Sequence, residues 1–247
     1  MTAINSKLAP HSNRPEPLEK NISGLFACAA VYLALLFAVA ANITWITSPD
    51  LGFHLRIGQY IWETRSIPRT ELFSYTCAGH PMLLHGWLAE TLFYLIWKLC
   101  GYNGLILLKT AVISSAYFLI HFLLAKKTTR IHETIAVTLA VLCSSWHFSE
   151  RPAMFTLFFT ALYVTLLTGL ESGWKRTTVL PIIAVSQIFW SNLHGVFILG
   201  PVIVGHFAAG RALSTLARGE KVSVRESAVW ILFVLALLVL SALLNPF

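Results

Sequence analysis

From residue 24 onward the chain alternates long apolar runs with short polar breaks. Apolar legs lie at 24–46, 104–125, 131–148, 153–170, 177–192, 195–210 and 227–244. Uncharged runs of roughly 17–25 residues are long enough to cross a bilayer as helices. The pattern therefore predicts an all-α, multi-pass transmembrane bundle of about seven spans. A further apolar stretch, "GWLAETLFYLIWKLC" at 86–100, has 15 residues and carries Glu90 and Lys98. At 1.5 Å per residue it reaches roughly 22 Å, short of the ~30 Å hydrocarbon core. It reads as a helix at the membrane interface. "DLGFHLRIGQYIWE" at 50–63 places Arg56, Gln59 and Glu63 on one polar stripe, a second interfacial helix in the same loop.

Composition agrees with this picture. Of 247 residues, 56% are hydrophobic and 12% charged, where soluble domains carry about 25% charged. The net charge of +7 then reflects loop asymmetry rather than a nucleic-acid surface. With the N-terminus inside, the inner segments 1–22, 126–130, 171–176 and 211–226 hold twelve of the 18 Lys and Arg residues, as the positive-inside rule requires. Residues 1–22 read as a disordered cytoplasmic tail and 23–247 as the transmembrane domain. "AVAA" at 38–41 has the look of a signal-peptidase site, but the first span is expected to stay uncut as an anchor.

The same topology collects polar groups on the outer side: Asp50, His54, Arg56, His80, His85, Glu90, His147, Glu150, Arg151 and His194. Ionisable groups at or within a membrane are functional candidates because desolvating them is costly. Asp50 follows Pro49 and suits either a helix N-cap or a general base or cation ligand. His54 is expected to face the protein interior, with Gly58 leaving room one turn on. Arg56 and Arg151 suit either headgroup contacts or a bound lipid phosphate, since a guanidinium can grip phosphate through two donors. The legs flanking "SNLHG" (191–195) are short, so this turn is expected to be recessed, with Asn192 and His194 facing a pocket.

Several chemistries lack support. Ser74 has no nucleophile-elbow context, no HExxH or paired-His spacing marks a zinc site, and no CxxCH attaches haem. Cys28, Cys77, Cys100 and Cys143 are expected to be free thiols, with a Cys77–Cys100 disulfide as the alternative. A transporter would carry broken helices in both halves. Only one break, at 191–195, is visible.

The segments "DLGFHLRIGQYI" (50–61), "IPRTELFSYT" (67–76), "GHPMLLHGWL" (79–88), "RP" (151–152), "WSNLHGVFILG" (190–200) and "NP" (245–246) together resemble bacterial membrane proteins related to the GT-C-fold glycosyltransferases. The resemblance covers about 24–247. It implies transfer of a sugar from a polyprenyl-phosphate donor on the extracytoplasmic face, with Asp50 as the catalytic acid–base residue. His54, Arg56, His85, Arg151, Asn192 and His194 would line the substrate and phosphate site. The resemblance also allows a divalent cation (Mg2+ or Mn2+) and a protein partner completing the fold. This chain departs from the group pattern at Phe53, where Trp is usual, and at Gly86, where Glu is usual. It also ends sooner than GT-C enzymes generally do. The competing expectation is therefore an inactive, truncated relative acting as an assembly or lipid-binding subunit.

Overall fold

The computed structural model describes residues 18–46, 48–125, 127–145 and 148–247. Of the expected tail, residues 1–17 lie outside the described residues, as does His147, while 18–22 are already helical. The helices are α1 (Leu18–Asn42), α2 (Leu51–Thr64), α3 (Trp87–Leu124), α4 (Arg130–Ser144), α5 (Ala153–Glu171), α6 (Arg176–Leu193), α7 (Leu199–Ala217) and α8 (Val224–Leu244). A 3-10 turn at Gly195–Ile198 precedes α7. No strand occurs among the described residues, apart from an isolated bridge between Thr70 and Pro81 in the α2–α3 loop.

The fold is that of an all-α membrane protein, but the expectation of seven spans is corrected. Among the described residues, four helices are long and apolar enough to cross a membrane: α3, α5, the 3-10 turn with α7, and α8. The legs at α4 and α6 fall short for identifiable reasons. Helix α4 has 15 residues, about 22 Å. Helix α1 runs for 25 residues, and its apolar stretch among the described residues is Cys28–Asn42. Helix α6 has 18 residues, but Arg176, Gln187, Ser191 and Asn192 dilute its apolar character.

The 86–100 stretch and the following leg are joined in α3, which breaks at Gly101 (φ 61°, ψ −157°). Only glycine adopts that backbone readily. Helix α2 ends when Arg65 enters the left-handed region (φ 56°) and its N–H bonds to the Ile61 carbonyl, a C-terminal cap. Pro152 precedes α5, where its fixed φ suits a helix start.

Helix α3 contacts α1, α2, α5 and α6, α4 lies against α1, and α6 and α7 pack on both α5 and α8. The core centres on Trp190, stacked on Phe159 and edge-on to Tyr163, with ring centroids 5.4 Å apart in both pairs. Beside it the Tyr163 hydroxyl donates to Ile183 O and lies 2.9 Å from Gln187 Oε1. Gln187 Nε2 donates to Ser241 Oγ (2.9 Å) and Phe197 O (3.1 Å). This polar stitch satisfies groups that lipid could not, and ties α5, α6 and α8 together. All four cysteines are free.

Candidate functional site

Side-chain contacts separate the two ends of the bundle. Arg176–Glu226, Arg211–Glu171 and Arg130–Glu133 pairs mark one end. The first loop, the 148–152 and 191–195 turns and the C-terminal residues meet at the other, which holds the candidate residues. They sort there into three networks rather than one ring.

The first network is built on the 148–152 turn. Asp50 does not use its carboxylate to cap α2: no side-chain cap bond forms. Its Oδ2 instead lies 2.8 Å from an Arg151 terminal nitrogen, with Asp50 52% and Arg151 42% exposed at the side chain. Arg151 Nε also reaches Ser48 Oγ (3.3 Å). A pair this exposed contributes under about 1 kcal/mol to folding, so stability does not explain it. Next in sequence, Glu150 Oε1 meets Lys109 Nζ at 2.7 Å, and both side chains are essentially fully buried (1% and 0%). Lys109 also donates to Thr44 Oγ1 (3.0 Å). Two successive ion pairs thus pin this turn, one outward to α2 and one inward to α3.

The second network joins α2 to the first arm of α3. His54 Nδ1 lies 2.8 Å and 3.0 Å from the two Glu90 carboxylate oxygens, and the ring packs edge-on to Phe93. His54 therefore faces the protein interior, as expected, with a carboxylate fixing its orientation. Arg56 turns the other way, bonding Gln59 (2.8 Å) on the exposed stripe that continues to Glu63.

The third network is largely structural. Asn192 Oδ1 accepts from Trp87 Nε1 (2.7 Å), while its amide donates to Ile188 O and Leu244 O. The His85 backbone carbonyl accepts from Asn245 Nδ2 (3.2 Å), and its ring sits edge-on to Phe197 and Phe247. His85 Nδ1 is buried with no hydrogen-bond partner among the described residues. His194 Nδ1 lies 2.7 Å from Thr156 Oγ1, which also accepts from Trp190 Nε1 (3.1 Å). With Thr156 donating to it, Nδ1 acts as the acceptor of a neutral imidazole. Ser191, Asn192 and Leu193 are buried at the end of α6, and Asn192 and His194 bind neighbouring helices instead of facing a pocket.

Burial lowers the His194 pKa from its ordinary 6.5, which yields a pH test. A neutral His194 contributes stability that is fully present above about pH 6.5 and is lost as pH falls through the lower folded pKa. Melting in detergent between pH 7 and 5 is expected to show a larger acid loss for the wild type than for His194→Gln. Parallel curves would mean that His194 does not titrate with unfolding.

A divalent cation does not fit this end. Asp50 is matched by a guanidinium, Glu90 by His54 and Glu150 by Lys109. Among the described residues no three His, Cys, Asp or Glu side chains converge.

Lys109 escaped the sequence reading. Its signal was a lone Lys inside an apolar leg, "GLILLKTAVIS", the kind of group that must find a partner. No protein-family model matches the chain, and no curated protein or solved structure matches it.

Proposed function

We propose that the chain is a GT-C-like membrane protein acting on a polyprenyl-phosphate-linked sugar at the Asp50–Arg151 end. In this reading that end faces outward from a bacterial inner membrane, and the Lys- and Arg-rich opposite end and the N-terminus are cytoplasmic. The observation that carries the reading is the placement of Asp50. Its carboxylate is not spent on capping, is half-exposed beside a guanidinium, and directly precedes Leu51, which lines an apolar cleft. That cleft, about 440 Å3, is lined by Trp45 and Ile46 after α1, Leu51 and Leu55 of α2, and Tyr102 and Ile106 of α3. A prenyl chain lying there would bring its phosphate to the start of α2, where Arg151 could exchange Asp50 for the phosphate.

The chemistry then follows. The acceptor hydroxyl oxygen attacks the anomeric carbon, Asp50 takes the hydroxyl proton, and the carbon–oxygen bond to phosphate breaks. The leaving polyprenyl phosphate keeps the electron pair, and Arg151 stabilises its charge. The glutamate usual in the resembling group has no equivalent at Gly86. A Cβ there would lie 3.1 Å from the Leu193 carbonyl oxygen.

Asp50→Asn is expected to lower sugar transfer in proteoliposomes at least 100-fold with an unchanged melting temperature. The assay uses radiolabelled prenyl-phosphate sugars. Full activity in that variant would remove Asp50 from the chemistry.

A second reading has its own observation. Glu90 is held by His54, while Asn192 and His194 are engaged in packing, which suits a non-catalytic lipid-binding or assembly subunit. A stoichiometric partner co-purifying with the chain, together with no transfer from any prenyl donor, would favour it.

A further inference from the structure

At the end opposite Asp50, a cleft of about 530 Å3 opens between α7 and α8. Its depth is apolar, with Gly205 and Ala209 of α7 facing Ile231 and Leu235 of α8, and Arg211 and Lys221 stand among the polar residues of its rim. Both helices belong to the four that are long and apolar enough to cross a membrane, and little of either is covered by protein. In a bilayer these uncovered faces would meet acyl chains.

The charges around the cleft do not cancel. Glu226 is gripped by Arg176 through both carboxylate oxygens and accepts from Trp230 Nε1 (2.9 Å). Glu171 is paired with Arg211 (2.8 Å) and Glu220 with Arg218 (3.2 Å). Every carboxylate nearby is thus matched, and Lys221 and Arg225 form no ion pair among the described residues. Val222 and Ser223, which also line the cleft, place the start of α8 at its mouth, where the helix dipole favours an anion.

We propose that this cleft holds one acidic glycerophospholipid drawn from the surrounding leaflet. Its acyl chains lie between α7 and α8, and its phosphate-bearing headgroup sits at Lys221 and the start of α8. An apolar depth beneath a cationic mouth matches a molecule with a tail and an anionic head, and basic pockets between spanning helices recognise such headgroups. The inference is independent of the chemistry assigned to Asp50.

The test uses the full chain in mild detergent, with native mass spectrometry counting retained lipid. The probes are phosphatidylglycerol and phosphatidylcholine with identical acyl chains, and glycerol 3-phosphate as a soluble competitor. The wild type is expected to retain one phosphatidylglycerol in preference to phosphatidylcholine. Lys221→Gln, a change at an exposed side chain, is expected to reduce that preference about fivefold. Gly205→Leu, whose Cβ meets nothing within 4 Å, fills the cleft and is expected to abolish retention of both lipids. Equal retention of the two lipids by the wild type would overturn the proposal. So would unchanged selectivity in Lys221→Gln, or displacement by glycerol 3-phosphate, which would indicate a phosphate site instead.

Discussion

Lys109→Met is expected to destabilise the bundle by about 3–5 kcal/mol, because it strands the Glu150 carboxylate without its counter-charge. Glu150 Oε1 lies 2.7 Å from Lys109 Nζ, and among the described residues neither oxygen of the carboxylate has a further hydrogen-bond donor. Removing one partner of a buried pair costs far more than removing both, so Lys109→Met with Glu150→Leu is expected to recover most of the loss. Thermal unfolding in detergent, arranged as a double-mutant cycle, reads the coupling directly. The cycle also has a local consequence. Glu150 fixes the turn that carries Arg151, so the single mutant is expected to loosen the Asp50–Arg151 pair, visible as faster hydrogen exchange at 148–152. A wild-type melting curve for Lys109→Met would show that Glu150 has another partner.

Gly58→Ala carries the second large effect. A Cβ at this position would fall on the backbone carbonyl of Glu90 and within 2.8 Å of Tyr94 Cβ. Backbone cannot swing away as a side-chain tip can, so α2 must lift off α3. The cost is about 1–3 kcal/mol or more, and the His54–Glu90 contact goes with it. Gly52 lies on the same helix, but a Cβ there meets nothing within 4 Å. Gly52→Ala is therefore expected to be neutral or to stabilise by up to about 1 kcal/mol through helix propensity. Limited proteolysis in the 65–86 loop, faster in Gly58→Ala and unchanged in Gly52→Ala, separates close packing from any general intolerance of substitution. Equal cleavage of the two variants would refute the contact.

The helices were legible because apolar runs and polar punctuation carry them. The leg at 153–170 became Ala153–Glu171 and that at 177–192 became Arg176–Leu193. Spanning was less legible, since a run such as 131–148 looks long enough, whereas helix α4 covers only Arg130–Ser144. The inward aim of His54 was readable from Gly58 beside it, since a missing side chain marks where another helix comes close. Its partner Glu90 was not, because a pairing 36 positions apart leaves no local trace. For Asp50 the local pattern left a helix cap and a general base or cation ligand both open, and only the distant Arg151 decides that the carboxylate is not used as the cap. Asn192 and His194 lie at the end of α6, where the sequence marked a break. Which way a polar side chain points from such a break depends on Trp87 and Thr156, and neighbours from other helices are invisible to periodicity.

The break at Gly101 settles a question of dimensions. Without it, 38 consecutive residues would make a rod of about 57 Å, nearly twice the ~30 Å that hydrocarbon can cover. Such a rod would have to tilt steeply or push a stretch of greasy surface into water. A single residue lacking a side chain divides the rod into two arms, and the shorter arm packs against α2. Replacing Gly101 would thus strain the joint between the arms, even though a new side chain would touch nothing.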